Sequence, residues 1–266
     1  MQDLFTKVKE NAIILSYENA ERGTDMTHEF SRTELLIGEE GLQKLRQATV
    51  MVLGVGGVGS HCIEALARSG VGSLILVDND TVSLTNINRQ SIAYHSTIGK
   101  YKTHVMKERI QDMNPEAEVI TFETFVLPEN LESIFVKKVD YIVDAIDTVT
   151  AKLALVEYAK VHEIPIISCM GTGNKLHPEL FQITDISKTS VCPLCKVMRK
   201  ELKARGISHL KVLFSEEKPI DVSGKDSGEE KGKRRALPGS IAFVPPVAGL
   251  MIAGEVIREM VENESI

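Results

Sequence analysis

Short apolar runs alternate with amphipathic stretches along most of this chain. The runs predict buried strands, and the stretches of roughly 12 residues between them predict helices. The predicted strands are residues 50–53, 74–77, 119–122, 140–147, 164–168, 180–186 and 211–214. The predicted helices are residues 39–47, 58–69, 99–113, 151–162, 193–205 and 247–260. This alternation predicts an α/β fold with a doubly wound, mostly parallel sheet and a C-terminal elaboration.

A glycine cluster separates the first strand from its helix. Gly54, Gly56 and Gly59 fit the pattern G-x-G-x-x-G, and Gly57 lies within it. The first glycine permits a tight turn, the second lets a phosphate approach the backbone, and the third lets helix pack on strand. The helix N-terminus then favours an anion. A tight turn without a ligand is the alternative, but strands on both sides favour a nucleotide site.

Polar residues follow the second strand. Asp78 stands directly after that strand, where its carboxylate can accept protons from ribose hydroxyls. Just downstream lie the donor-bearing side chains of Asn86, Asn88, Arg89 and Gln90. Ligands of open α/β sheets bind at the carboxyl ends of the strands, so we expect these residues to lie at the nucleotide.

Three charged residues change the kind of nucleotide that we expect. Arg89, Lys102 and Asp147 each fall near a predicted strand end or helix start, where they can converge on one crevice. A triphosphate needs this added positive charge, and a carboxylate can hold Mg²⁺ beside phosphate oxygens. Nucleoside triphosphate chemistry is therefore favoured over a dinucleotide oxidoreductase or a non-catalytic nucleotide sensor.

Composition sets limits on the class of protein. The chain has 266 residues, of which 43% are hydrophobic, enough for one large domain at residues 26–266. A net charge of −6 gives no global attraction to nucleic acid. The sequence shows neither a signal-peptide core nor an apolar run long enough to span a bilayer, and four scattered cysteines suit reduced thiols. We expect a cytoplasmic protein, with residues 1–25 as an extension before Met26.

The cysteines give little sign of metal chemistry. Cys192 and Cys195 form one C-x-x-C pair, whereas a structural zinc site needs four ligands. Cys62 lies on the predicted nucleotide-binding helix, so structural zinc is not expected. Cys169 ends a strand, and we interpret it as a small core residue rather than a nucleophile.

Basic residues are concentrated in two places. They occur along the predicted helix at residues 193–205 and in the run at residues 231–235, inside a predicted mobile loop at about residues 216–237. Either could contact a phosphate backbone, but solvated charge is the alternative. Few aromatic residues accompany them, so the signal for RNA is weak.

Four motifs in order resemble the ubiquitin-activating-enzyme-like adenylyltransferases, a Rossmann-like superfamily. They are the glycine turn, V-D-N-D-T-V-S-L-T-N-I-N-R-Q at residues 77–90, G-K-Y-K at residues 99–102 and D-A-I-D at residues 144–147. The resemblance implies that the glycine turn holds ATP phosphates and that Asp78 takes the ribose. It also implies a magnesium role for Asp147 and a phosphate shell of Asn86, Arg89, Gln90 and Lys102.

The resemblance also bears on Arg32. From its position alone, Arg32 is interpreted as a solvated surface charge. Members of this superfamily are typically homodimers, and the arginine that matches Arg32 can reach the partner subunit's nucleotide. A homodimer with Arg32 acting in trans is therefore the expectation.

Three further segments resemble a tRNA-modifying branch of the superfamily. They are residues 30–38, 191–207 and 239–250. This resemblance implies a tRNA substrate and ATP-dependent dehydration that cyclises N6-threonylcarbamoyladenosine. The alternative within the superfamily is adenylylation of a sulfur-carrier protein ending in Gly-Gly, and an NAD-dependent oxidoreductase is the alternative outside it. A sulfur-relay partner and a monovalent cation near the crevice are left open.

Overall fold

A twisted seven-stranded sheet organises the protein. The computed structural model describes residues 27–222 and 238–262. The strands are β1 (Thr49–Leu53), β2 (Ser73–Val77), β3 (Glu118–Phe122), β4 (Tyr141–Asp144), β5 (Ile166–Cys169), β6 (Phe181–Asp185) and β7 (Lys211–Ser215). Their order is β3-β2-β1-β4-β5-β7-β6, and every pair is parallel except β6 with β7. The predicted α/β class with a mostly parallel sheet is confirmed.

Helices cover the sheet. They are α1 (Ser31–Gln47), α2 (Gly59–Arg68), α3 (Lys102–Met113), α4 (Leu131–Ile134), α5 (Val149–Val161), α6 (Pro193–Ala204) and α7 (Val244–Glu262). The first of these begins well before the predicted residue 39 and is kinked at Gly38, which has φ +72°. The kink divides the apolar pattern of α1 into two segments. The segment before Gly38 is too short to show a helical period.

The direction in which successive strands are added to the sheet changes at β1. The chain adds β2 and β3 on one side of β1, then returns to place β4 on the other side, with Leu53 in register with both Val77 and Asp144. Crevices open beyond the carboxyl ends of the strands at such a reversal point. The predicted ligand residues follow these same strand ends.

The antiparallel strand β6 forms one edge of the sheet. It pairs with β7, which itself inserts between β6 and β5. The helix α6 packs beside this edge through a core that includes Met198, Leu202 and Phe214. The C-terminal elaboration therefore extends the parallel sheet rather than forming a separate unit.

The helix α7 packs closely on α2. A Cβ atom on Gly249 of α7 would lie 2.3 Å from the carbonyl oxygen of Val58. A Cβ on Gly57, in the glycine turn, would lie 3.0 Å from the Pro245 side chain. Pro245 is accommodated because a first helical turn does not need the missing N–H group. The last helix thus supports the glycine turn directly.

Some expectations lie outside the described residues. These are the extension at residues 1–25, the basic run at residues 231–235, and the part of the predicted loop from residue 223 onward. Across residues 27–222 and 238–262, none of the helices has the length and apolar character needed to cross a bilayer.

Candidate nucleotide-binding site

A cavity of about 400 Å³ lies beyond the carboxyl ends of β1, β2 and β4. Its lining includes nine of the predicted residues: Gly54, Gly56, Gly57, Asp78, Asn86, Arg89, Gln90, Lys102 and Asp147. Segments that are far apart in the chain thus meet at one crevice, as the strand-end argument predicted. Gly59 and Arg32 lie outside this lining.

The glycine turn forms the floor of the cavity. Gly54 has φ +92°, and a Cβ at that position would lie 2.6 Å from the Ala145 carbonyl oxygen. Beside Gly56 the nearest atom to such a Cβ is Gln90 Nε2 at 3.9 Å, so open space faces this backbone. A Cβ on Gly59 would lie 1.7 Å from the Gly54 carbonyl oxygen. Gly59 therefore acts by letting α2 pack against the turn.

The N-terminus of α2 begins directly after this turn. Its N-cap residue, Val58, makes no side-chain cap hydrogen bond. The positive end of the helix dipole therefore lies next to Gly56 and Gly57, and the Ser60 amide of the first turn donates to the Gly56 carbonyl oxygen at 3.0 Å. This arrangement suits a phosphate group.

Asp78 is held rigidly at the opposite wall. Its Oδ2 accepts a hydrogen bond from the Val55 amide at 2.7 Å, and its Oδ1 accepts one from the Asp80 amide at 2.8 Å. Burial raises the pKa of the Asp78 carboxyl above its ordinary value, and the nearby Lys102 ammonium and these amides oppose that rise. The remaining lone pairs of the fixed carboxylate can accept ribose hydroxyl protons.

Lys102 is the buried cation of the site. It opens α3, and its Nζ donates to Asp80 Oδ2 at 2.7 Å and lies 3.8 Å from Asp78 Oδ1. Asp80 lines the cavity but was missed as a site residue, although its position two residues after Asp78 was a usable signal. The carboxylates of Asp78 and Asp80 thus hold the Lys102 ammonium in the cavity wall. A phosphate oxygen bound there could replace them as the partner of the ammonium.

The segment containing Arg89 forms another wall. Arg89 NH1 donates to the Thr85 carbonyl oxygen and to Asn88 Oδ1, each at 2.9 Å. Asn86 is buried and accepts the Ser83 amide through Oδ1 at 3.0 Å, so it shapes the loop. The nearby Gln90 is also buried, and its Oε1 has no hydrogen-bond partner in the structure. An orphaned polar atom in a cavity lining fits a polar ligand.

Asp147 lies at the cavity mouth, three residues beyond β4. It is exposed, and the Thr148 hydroxyl contacts its Oδ1 at 3.4 Å. Among the described residues, no three His, Cys, Asp or Glu side chains are grouped to hold a metal ion. A divalent cation at Asp147 would therefore need most of its oxygen ligands from a nucleotide, and that donor set suits Mg²⁺.

A buried ion pair lies beneath the cavity. The sequence analysis did not predict it. Lys152 of α5 donates to Asp144 Oδ2 at 2.9 Å, to the Ser168 hydroxyl at 3.2 Å and to the Cys169 carbonyl oxygen at 2.7 Å. Nothing in the sequence distinguishes this lysine from one on a solvated helix face. The pair fixes the strand end from which the chain continues to Asp147.

Arg32 lies on the exposed first turn of α1, away from its own chain's cavity. Two neighbouring leucines, Leu35 and Leu36, are 85% and 87% exposed. Exposed apolar side chains that adjoin one another are a feature of contact surfaces. The position of Arg32 therefore fits a role outside its own subunit's site.

Comparison with known proteins places this geometry in a family. Residues 30–265 match the ThiF family. The chain belongs to that family. A relative from Bacillus subtilis named tRNA threonylcarbamoyladenosine dehydratase is 48% identical over 248 residues, covering 91% of this chain and 98% of the relative. The family assignment thus rests on nearly the whole chain.

Two other comparisons bear on activity. A crystal structure of Escherichia coli tRNA N6-threonylcarbamoyladenosine dehydratase in complex with ATP superposes with a TM-score of 0.78, at 34% identity, covering 87% of this chain and 93% of that one. A protein from Vanderwaltozyma polyspora named adenylyltransferase and sulfurtransferase UBA4 is 31% identical, but over only 63% of this chain and 40% of its own length. Similarity to the dehydratases therefore extends over more of the chain.

Proposed function

We propose that this protein is an ATP-dependent tRNA threonylcarbamoyladenosine dehydratase. One observation carries the proposal: the chain matches a protein of that name over 98% of that protein's length. The meeting of its predicted phosphate-binding residues in one cavity supports the proposal further. We propose a cytoplasmic location, which the proposed substrates, tRNA and ATP, support.

The proposed reaction begins with activation of a carboxylate. The threonyl carboxylate oxygen bonds to the α-phosphorus of ATP, and pyrophosphate leaves. A nitrogen of the same modification then attacks the carbonyl carbon and loses its proton, and AMP leaves with the original carboxylate oxygen. The product has lost one water in total, and no protein nucleophile is required. Over the described part of the chain, the cavity lining contains no cysteine, which agrees with this chemistry.

The roles of the cavity residues follow from their positions. Asp78 would bind the ribose, and the glycine turn with the α2 N-terminus would bind phosphates. Arg89 and Lys102 would stabilise the charge that develops on the leaving pyrophosphate. Mg²⁺ held by Asp147 and phosphate oxygens would neutralise further negative charge. Bound phosphate would draw the Lys102 ammonium away from Asp80.

We further propose a two-fold homodimer in which Arg32 enters the partner's cavity. Support comes from the exposed leucines beside Arg32 and from the absence of Arg32 from its own cavity lining. A two-fold axis would place the same arginine at both sites. Each site would then be complete only in the dimer.

Recognition of tRNA needs local positive charge, and α6 provides some. Lys196, Lys200 and Lys203 are exposed on this helix. Arg205 instead pairs with Glu157 at 3.2 Å and Glu201 at 2.9 Å, so the protein itself satisfies part of the basic stripe. We propose the three lysines as tRNA backbone contacts.

The experiment that tests the function uses tRNA carrying linear threonylcarbamoyladenosine. The tRNA is incubated with the full chain and Mg-ATP, and its nucleosides are analysed by mass spectrometry. An ATP-dependent loss of about 18 mass units, one water, is expected. If the nucleoside is unchanged, and pyrophosphate exchange into ATP appears only with a Gly-Gly-ending carrier protein, the activity is that of the sulfur-carrier class.

A further inference from the structure

The two cysteines of the C-x-x-C segment lie together at the N-terminus of α6. Cys192 is the N-cap residue, and Cys195 lies in the first turn after Pro193. Residues three apart lie on one face of a helix, and a C-x-x-C pair at a helix N-terminus is the arrangement found in thiol–disulfide oxidoreductases. Both thiols lie outside the lining of the nucleotide cavity.

The Cys192 thiol lies beside the Cys195 thiol and the backbone amides of Cys195, Gly171 and Leu194. These neighbours lower the pKa of the Cys192 thiol to about 5, against the opposing effect of burial. Cys192 in turn raises the pKa of Cys195, since a thiol beside a thiolate holds its proton more tightly.

Positive charge surrounds this pair. Lys175 is buried and interacts electrostatically with both cysteines, and Arg199 of α6 interacts with Cys195. Arg199 NH1 also donates to the Thr189 carbonyl oxygen at 2.8 Å, which anchors the segment before the pair. Reactive cysteines occur in such electropositive settings at helix N-termini.

The residue before Cys192 is strained. Val191 has φ +56°, a left-handed conformation that β-branched residues rarely adopt. Its side chain is exposed, so the strained turn lies at the surface while Cys192 lies just beneath it. A small movement of this turn would open Cys192 to a solvent-borne reagent.

We propose that Cys192 and Cys195 are a redox-active dithiol that exchanges reversibly with small-molecule disulfides. The Cys192 thiolate attacks one sulfur of the small disulfide, and one small thiolate leaves. Cys195 then loses its proton, and its sulfur attacks that of Cys192 and expels the second small thiolate. Two protein thiols are thereby oxidised and one disulfide is reduced to two thiols. This modification is separate from the proposed nucleotide chemistry.

The test uses the full chain and oxidised glutathione. After incubation, free thiols are trapped with N-ethylmaleimide and the protein is digested with trypsin. Cleavage after Lys188 and Lys196 leaves both cysteines in one peptide, residues 189–196. We expect this peptide to lose about two mass units in the folded protein and to regain them with reduced glutathione.

Variants identify the attacking sulfur. Cys195→Ser is expected to stop at one glutathione on Cys192, whereas Cys192→Ser should carry no adduct in the 189–196 peptide. Cys62→Ser is the matched control, because Cys62 is a buried thiol on another helix, and it should react as the unmodified chain does. A disulfide that forms in the 189–196 peptide only after addition of denaturant would overturn the proposal. If a variant fails to fold, the unmodified chain is titrated against the ratio of reduced to oxidised glutathione. That titration alone then tests whether the disulfide forms reversibly.

Discussion

Lys152 and Asp144 form an ion pair in which both side chains are fully excluded from solvent, with Lys152 Nζ 2.9 Å from Asp144 Oδ2. The Ser168 hydroxyl and the Cys169 carbonyl oxygen satisfy further donors of the ammonium. The pair joins β4, α5 and β5 beneath the nucleotide cavity. Its satisfied network stabilises the backbone from which Asp147 extends.

Removing one partner of this pair should destabilise the protein strongly. Lys152→Met leaves an unpaired buried carboxylate, and we expect a loss of about 3–5 kcal/mol in the free energy of unfolding. The double variant Lys152→Met, Asp144→Leu should recover much of that loss, since no charge remains buried. Urea denaturation followed by circular dichroism measures both. Equal stability of the single variant and the unmodified chain would contradict the buried pair.

Arg89→Ala and Asp147→Ala should each lower turnover by roughly 100-fold or more, because each removes charge that is proposed to act on the phosphates. Both residues lie in an open crevice, so the melting temperature should change little. Steady-state assays with modified tRNA, together with thermal melts, separate these effects. Lys188→Ala is the matched control, because Lys188 is exposed and lies outside the cavity lining and the proposed tRNA contacts, and it should leave turnover unchanged. Normal turnover in either cavity variant would remove that residue from the proposed site.

Complementation between subunits tests whether Arg32 acts in trans. Dimers of Arg32→Ala subunits and Asp147→Ala subunits are formed by mixing and refolding the two inactive variants. A trans arrangement restores one intact site in each mixed dimer, so activity should reappear. Mixtures that stay inactive, although native mass spectrometry finds mixed dimers, would place Arg32 in its own subunit's site or on the bare surface.

A methyl group added at Gly56 should obstruct the phosphate. The space beside this glycine opens into the cavity, so Gly56→Ala should fold normally but bind ATP roughly tenfold or more weakly, since overpacking costs about 1–3 kcal/mol. Isothermal titration calorimetry with Mg-ATP measures the change. Gly171→Ala is the control, because a Cβ at that position also meets open space but lies outside the cavity lining. Equal ATP affinity of Gly56→Ala and the unmodified chain would argue against phosphate at the glycine turn.

Alkylation should reveal the unusual acidity of Cys192. Its pKa is lowered to about 5, so it is a thiolate throughout the neutral range and its alkylation rate should be nearly constant between about pH 6 and pH 8. An ordinary thiol would react roughly tenfold faster per pH unit over the same range. The groups that act electrostatically with it include Cys195 on α6, Cys169 on β5, and Lys175, and Arg199 on α6 acts on Cys195. Peptide mapping after brief iodoacetamide treatment gives the rate, and a steep rise with pH would contradict the lowered pKa.

Local patterns were sufficient to predict much of the fold and the cavity. The glycine spacing and the acid at the end of β2 depend on neighbouring residues, and the carboxyl ends of parallel strands meet by geometry alone. For these reasons Asp78, Arg89, Lys102 and Asp147 could be expected to converge. The proposed roles of these residues stay predictions.

Other features depend on distant partners and left no local signal. The insertion of β7 between β5 and β6 is decided by pairing across a long stretch of chain. Lys152 has the sequence character of a surface lysine, and only the approach of Asp144 and Ser168 explains its burial. In the proposed homodimer Arg32 poses the same problem, since the local pattern around it does not show which surface would face a second copy.

The close packing of α7 on the glycine turn has a consequence for protein synthesis. Gly57 and Val58 of the turn are translated long before Pro245 and Gly249, which press against them. A nascent chain can therefore form β1 and α2 early while one side of the nucleotide turn stays uncovered. The support for nucleotide binding is completed only when α7 emerges from the ribosome, so a chain truncated before residue 244 would lack a supported ATP site even though it contains every residue of the cavity lining.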